Sequence, residues 1–391
     1  MSFTTLAILV AAGLIGPLLA AIPKFGPPLV VGEILAGLLI GNSGFNLVPN
    51  SDPALSLLSA IGFALLMLIV GTHLPLRQNE LKPALGKAIA ATGITAAIAI
   101  ALAWFLAGPT GLNNPAILAV LITTSSAAVA LPVIQSLDIS ADKKHTLLTL
   151  TAWISIADVL TVLAIPLIIR QGSVANTLIG IALIAALAVA VYFLTKWASN
   201  KKVVEKLRAR SKQEHWAVDL RTSLLVLFVL AAIATAQQTS ILIAGFAAGA
   251  VLALSKQPRR FAQQLIGLGE GFLVPLFFVT LGAKLDLSSL ITSPQNLFLT
   301  AALVIGSLIS HIGSAALLRL PIGSGMLATA QLGVPAAIAS IGLQTHVLNS
   351  GQAAAILAAV LLSLIITSAG ANILGSDVRI GDHTAKNEGN K

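Results

Sequence analysis

Apolar stretches of bilayer-crossing length follow one another almost without pause along this chain of 391 residues. A spanning helix needs about 20 predominantly apolar residues. In hydrocarbon each backbone N–H and C=O must be satisfied within the structure, so only helices and closed barrels cross. Stretches of this length make the chain an all-α membrane protein. Composition agrees: 57% of the residues are hydrophobic and 9% charged, where a soluble domain carries about 25% charged residues. The chain has no Cys, which excludes a disulfide scaffold and a thiolate metal site. Its first apolar run lacks a basic leader and a clear small-residue cleavage site, and reads as a retained span.

A coarse division gives thirteen candidate spans, near 3–22, 28–41, 54–72, 84–107, 115–135, 146–169, 173–195, 218–238, 240–255, 268–285, 296–318, 321–344 and 351–375. The positive-inside rule tests that count. With the N-terminus outside and the C-terminus inside, all but Arg170 and Lys284 of the 23 Lys and Arg fall on the cytoplasmic side. One helix more or fewer in mid-chain scrambles that split. The densest basic run, 196–221, joins two spans and suits anionic lipid head groups. Basic residues spread in this way over loops form no groove-sized patch with interleaved aromatics, so nucleic acid is excluded as a partner.

An odd number of spans has an architectural consequence. Two six-span repeats, about 3–169 and 218–375, joined by one linker helix at 173–195, have opposite orientations in the membrane. Inverted repeats are a common transporter plan, with sites near the midplane on interrupted helices. Matching interruptions stand in spans five and twelve. Span five contains Thr123-Thr124-Ser125-Ser126 and then Pro132; span twelve contains Gln331-Leu332-Gly333-Val334-Pro335. Proline frees a carbonyl, and hydroxyl side chains compete for the loosened backbone. The plainer alternative is a pair of Pro-kinked helices. Beyond the spanning region, 1–375, residues 376–391 read as a disordered cytoplasmic tail.

Asp158 is the only charged residue in the apolar stretch from Leu147 to Ile169. A charge at the bilayer centre costs between about 2.5 and well over about 10 kcal/mol, and a chain keeps one where protons or cations visit. Burial disfavours the charged form of a carboxyl group, so one site can hold a proton or a cation in turn, and that competition couples two opposed fluxes. Thr151, Ser155 and Asp158 share a helix face. Their hydroxyls, with those of Thr124, Ser125 and Ser126, supply the oxygen ligands a Na⁺ or K⁺ ion prefers. The alternative is a structural carboxylate paired with a buried base, but no Lys or Arg lies deep in any span.

Several stretches resemble a known family. Span two reads Gly32-Glu33-Ile34-Leu35-Ala36-Gly37-Leu38-Leu39-Ile40-Gly41, with Asn42 where that family usually has Pro. Span three ends Leu68-Ile69-Val70-Gly71-Thr72-His73-Leu74, and Ser240 to Gly249 matches a third stretch. Span ten reads Pro275-Leu276-Phe277-Phe278-Val279-Thr280-Leu281-Gly282-Ala283-Lys284-Leu285-Asp286. Over roughly residues 5–375 the chain is similar to the second family of monovalent cation:proton antiporters, which includes Kef-type and NapA-type proteins. The resemblance implies an NhaA/NapA-like fold with two broken helices crossing beside a membrane aspartate. It also implies a homodimer in the inner membrane, with a gasket-like dimerisation domain and a core that moves as an elevator. The family usually has a polar pair at the aspartate, whereas this chain has Ala157-Asp158. A single titratable group favours one cation exchanged for one proton, hence electroneutral exchange.

Other candidates follow. Electrogenic relatives of NapA type carry a lysine on the span corresponding to span eleven; here that stretch holds Ser310-His311 and no lysine. His311 stands near that place or is a neutral core histidine. Gln331 sits at the break of span twelve, where the family often has Arg or Glu. Glu33, at the start of a short span, reads as structural before transporting, and Glu270 as a water-exposed or gating residue. Lys284 and Asp286 read as a solvated pair. The expectation is a Na⁺ or K⁺:proton antiporter with no cofactor, the ions being cargo. A gated cation channel of Kef type and an organic-solute symporter on the same scaffold are the alternatives.

Overall fold

The structure, a computed structural model, describes residues 2–22, 29–48, 52–72, 82–136, 144–169, 174–199, 202–214, 216–237, 240–254 and 267–388. Every regular element among them is helical: α1 Phe3–Gly13, α2 Ile15–Ala20, α3 Leu29–Ile40, α4 Pro53–Thr72, α5 Lys82–Leu106, α6 Pro115–Thr123, α7 Ala127–Ser136, α8 Lys144–Ile168 and α9 Val174–Ser199. The chain continues with α10 Lys202–Gln213, α11 Val218–Ala236, α12 Ile241–Leu254 and a π-helical turn, Gly269–Leu273, that opens α13 Val274–Ala283. The last elements are α14 Leu287–Thr292, α15 Pro294–Leu317, α16 Ile322–Ala328, α17 Gly333–Gln344 and α18 Ser350–Glu388.

Among the described residues ten helical segments are long and apolar enough to cross a membrane. Leu29–Ile40, Ile241–Leu254 and Gly269–Ala283 are shorter apolar helices, and they occupy the remaining candidate spans. At 12 residues, α3 rises about 18 Å, well short of a hydrocarbon core of about 30 Å. Two features differ from the sequence reading. The basic connection at 196–221 contains the helix α10. The final helix continues to Glu388, through residues assigned above to a disordered tail.

The chain divides into two compact units that interleave in sequence. One comprises residues 1–77 and 170–285, the other 78–169 and 286–391. Each unit therefore draws on both the first and the second half of the chain. In the first, close crossings are made by glycine: a Cβ on Gly249 of α12 would meet the Leu68 carbonyl of α4, and one on Gly37 of α3 the Val279 carbonyl of α13. Small residues permit such approach. Phe63 of α4 stacks on Phe277 of α13, with centroids 5.1 Å apart.

In the second unit Asn114 caps α6 by accepting from the amides of Ala116 (3.1 Å) and Ile117 (3.4 Å), ahead of Pro115 in the first turn. Asp286 caps α14 in the same way. It accepts from the Ser289 amide at 3.0 Å and the Ser289 hydroxyl at 2.5 Å, bonds that hold its carboxyl below the usual range. Its carboxyl thus serves as the cap of α14. The core of this unit gathers Ala88, Leu131, Trp153, Ala315 and Leu327. Thr92 and Thr95 of α5 return their hydroxyls to the carbonyls one turn back, which lets polar side chains sit in an apolar interior.

Candidate functional site

Both interruptions expected from sequence are present, and both lie in the second unit. Helix α6 stops at Thr123, Thr124 is extended (φ −64, ψ 140) and α7 resumes at Ala127. Helix α16 stops at Ala328, and α17 resumes at Gly333 after Leu332 at φ −157, ψ −72. The two prolines act differently from the expectation. Pro132 lies inside α7, downstream of the break, so the hydroxyl run marks the interruption and the proline does not. Pro335 is the third residue of α17, where the missing N–H is one of the four that a helix start leaves unused.

Breaking a helix orphans backbone groups, and here each break satisfies the other. The Ser126 amide donates to the Ala330 carbonyl at 2.7 Å. The Ser125 hydroxyl donates to the Ala328 carbonyl, the last of α16, at 2.5 Å. Gln331 donates through Nε2 to the Leu121 carbonyl near the end of α6 (2.9 Å) and to Ser307 Oγ (3.1 Å). Helix α15 supplies the third wall. Its Ser307, Ser310 and His311 are all buried, and Ser310 donates to the Ser307 carbonyl at 3.0 Å.

Asp158 is 4% exposed, on α8. Its Oδ2 accepts from the Ala127 amide at 2.9 Å, so the carboxylate faces the first amide of α7 and the positive end of that helix. One turn earlier on α8, Ser155 is 4% exposed and its Oγ has no hydrogen-bond partner among the described residues. One turn later, Thr161 donates to the Ala157 carbonyl at 2.7 Å. A hydroxyl has one proton, so in the Thr124–Thr161 contact at 3.1 Å Thr124 is the donor. The oxygen of Thr124 keeps its acceptor capacity. Among the described residues no cluster of three His, Asp or Glu is present; the oxygen donors here are one carboxylate and neutral hydroxyls.

Not every residue named from sequence gathers here. Thr151 is half-buried on α8 and shares no hydrogen bond with Asp158. Ser126 contributes its backbone to the crossing. Glu33 and Glu270 belong to the first unit: Glu33 is buried on α3 beside Gly16, and Glu270 is exposed in the π-helical turn. Three participants went unnoticed. The Ala127 amide has no side-chain signature. Thr161 repeats the helical spacing one turn past Asp158, a signal that sequence does hold. Trp153, 0% exposed, stacks on His311 with centroids 5.8 Å apart.

Comparison with known proteins follows the same lines. Over 388 residues the chain is 27% identical to the putative Na(+)/H(+) antiporter YjbQ of Bacillus subtilis (strain 168), covering 94% of this chain and 62% of that relative. The chain thus spans less than two thirds of YjbQ. It is 25% identical over 362 residues to a Na(+)/H(+) antiporter of Enterococcus hirae, covering 88% of this chain and 91% of the relative. The solved structure of the sodium proton antiporter MjNhaP1 from Methanocaldococcus jannaschii at pH 8 matches 96% of this chain and 99% of its own, with a TM-score of 0.65. At 17% identity that likeness is one of fold. The family model for the transmembrane region of sodium/hydrogen exchangers matches residues 8–374, and the chain, a multi-pass membrane protein, belongs to the sodium/hydrogen exchanger family.

Proposed function

We propose that the protein exchanges Na⁺ or K⁺ for H⁺ across the cell (inner) membrane, with Asp158 as the single site that both ions occupy in turn. The observation that carries this reading is the setting of Asp158: a buried carboxylate on the first amide of α7 (2.9 Å), with the partnerless Ser155 hydroxyl one turn away. A hydrogen bond to a charged group contributes about 1.5–3 kcal/mol and a helix terminus up to about 2 kcal/mol. Those terms do not match the upper range for a buried charge, well over about 10 kcal/mol. A proton or a monovalent cation supplies the difference. Ser155 and Thr124 stand ready as neutral ligands for the cation, and dehydrated hard cations favour such oxygens.

The rest of the mechanism follows from one carboxylate. Occupancy by H⁺ or by a monovalent cation leaves the same net charge at the site, so exchange is electroneutral. The three short apolar helices also cross, giving thirteen crossings in inverted repeats with the N-terminus outside. The second unit carries the site across as an elevator against a first unit that pairs with a second copy in a homodimer. Exposed Lys206 and Arg210 on α10 meet anionic head groups.

The test is cation-driven proton movement in proteoliposomes, read with a pH dye under Na⁺, K⁺ and choline. Wild-type protein should dissipate a preset pH gradient with Na⁺ or K⁺ and not with choline, and Asp158→Asn should not. Equal activity of the variant sinks the mechanism.

A further inference from the structure

The first unit holds a cavity that the exchange above does not use. It measures about 180 Å³ and lies between the last turns of α9, the start of α11 and the end of α12, with α10 across it. Helices α9 and α11 are consecutive spans joined by α10, and α12 packs on both, so the cavity lies at one membrane surface. Its walls include Val191 and Ala198 of α9, Val204 and Leu207 of α10, Val226 of α11 and Leu252 of α12. An apolar cavity of about 150 Å³ is already large enough to stay dry and take up a hydrocarbon the size of benzene. The roof over this one is fastened. The Val218 amide donates to Ser211 Oγ at 3.1 Å and the Trp216 amide to the Ser211 carbonyl at 3.0 Å. The Arg210 guanidinium lies over the Trp216 ring, 5.5 Å from its centroid, and Ala217 turns the chain into α11 in the left-handed conformation (φ 52). A pocket held open in this way asks little ordering of its occupant.

Charge surrounds the cavity without filling it. On α10, Val204, Leu207 and Ser211 recur at helical spacing on the inward side, while Lys206 and Arg210 are exposed. Lys196, beside the wall residue Thr195, and Arg221, beside Thr222, are exposed as well. Against these four cations the described side chains of 196–221 include two carboxylates, Glu214 and Asp219. Asp219 lines the cavity itself, in the first turn of α11, and repels a phosphate from the interior. Thr195 and Thr222 direct their hydroxyl protons at the Tyr192 and Val218 carbonyls, 2.9 and 2.8 Å away, and so offer an anion no donor there. The interior suits a hydrocarbon chain and the rim an anionic head group. We propose that this cavity takes one acyl chain of an anionic phospholipid, whose phosphate lies against the exposed basic side chains of α10 and α11. Attraction of basic residues to a charged bilayer surface needs no cavity; this is one lipid seated at one place. The head-group half of the assignment rests on the contact between α10 and anionic lipid given above, the chain half on the cavity alone.

The test places the full chain in phosphatidylcholine vesicles containing phosphatidylglycerol with a photoreactive diazirine on one acyl chain. Labelled residues are mapped by mass spectrometry after illumination. Label should concentrate on Val191, Val226 and Leu252, which line the cavity, over the exposed Phe193, Leu225 and Phe228. Val226→Phe, which fills the cavity from α11, should cut labelling of Val191 and Leu252 several-fold. The same diazirine on phosphatidylcholine should label the cavity several-fold less, and Lys206→Gln combined with Arg221→Gln should erase that difference. The proposal is overturned if label spreads evenly over the exposed apolar residues, or if Val226→Phe leaves the pattern unchanged. In either case the head-group contact still stands if total labelling by phosphatidylglycerol exceeds that by phosphatidylcholine and falls with the two charge substitutions. Equal cavity labelling by the two lipids overturns the proposal and the head-group contact together. Should Val226→Phe fail to fold, the label map of the wild type decides.

Discussion

Where α12 crosses α4 in the first unit, Gly245 and Gly249 leave the Ala64 and Leu68 carbonyls in the space a side chain would fill. Where the broken helices cross in the second, Ser125, Ser126 and Gln331 reach over and bond the other segment's backbone. The glycine crossing joins helices whose backbone groups are already satisfied, so what holds it is close van der Waals contact with no other partner to turn to. At the broken crossing each orphaned group is met by a single hydrogen bond with a net value of about 0.5–1.5 kcal/mol. Such bonds are exchangeable for a proton, an ion or another hydroxyl. One crossing rests on close packing, the other on individual hydrogen bonds.

The most damaging way to test that contrast is to compare the buried carboxylates of the two units. Asp158→Asn, which keeps size and an acceptor for the Ala127 amide, should reduce cation-driven proton movement to the level of protein-free liposomes. Glu33→Gln in the first unit should retain exchange within a few-fold. If both variants are dead, or Glu33→Gln alone is, the site is not confined to the second unit.

Next in size is the glycine crossing. Gly249→Val forces a branched side chain against the Leu68 carbonyl. Overpacking of that kind costs about 1–3 kcal/mol and occasionally more. The thermal midpoint of the purified protein should fall accordingly, with the cation dependence of any remaining exchange unchanged. A tolerated valine would mean that this crossing has the slack assigned here only to the broken helices.

Gln331→Leu addresses the other side. It leaves the Leu121 carbonyl buried without its donor, a loss of about 1–3 kcal/mol. Unlike Gly249→Val, it should also slow exchange, because it loosens the crossing that positions Ala127. Stability loss with an unaltered exchange rate would reduce Gln331 to a structural filler.

How far this contrast was legible in the sequence differs between the two regions. Span positions follow from length and polarity alone, since hydrocarbon allows no other backbone solution. The breaks could be read from a run of four hydroxyl residues and from Gln331 to Pro335, but Pro132 was over-read: a helix can carry a proline within it when neighbours re-satisfy the freed carbonyl. The Ala127 amide stayed hidden because a backbone donor leaves no mark in the residue code. The interleaving of the units stayed hidden because a division of the sequence into consecutive halves does not say which segments pack together. Helix α10 was lost in its own charge: a basic run between spans reads as a loop until its Val204 and Leu207 are placed on a helix.

Ser155→Ala should have the smallest effect on stability and says most about the site. Its hydroxyl is buried without a partner, and a polar group buried in that way costs about 1–3 kcal/mol in proteins. Deleting it should leave the thermal midpoint unchanged or slightly raised, in contrast to Gly249→Val and Gln331→Leu. If the hydroxyl is held in reserve for the cation, the cation concentration giving half-maximal exchange should rise several-fold while the maximal rate stays close to wild type. A lower midpoint with unchanged cation dependence would make Ser155 an ordinary packing residue. The cation shell would then have to be built from Asp158, Thr124 and water. Any preference for one ion over another would then have to come from the Thr124–Thr161 contact.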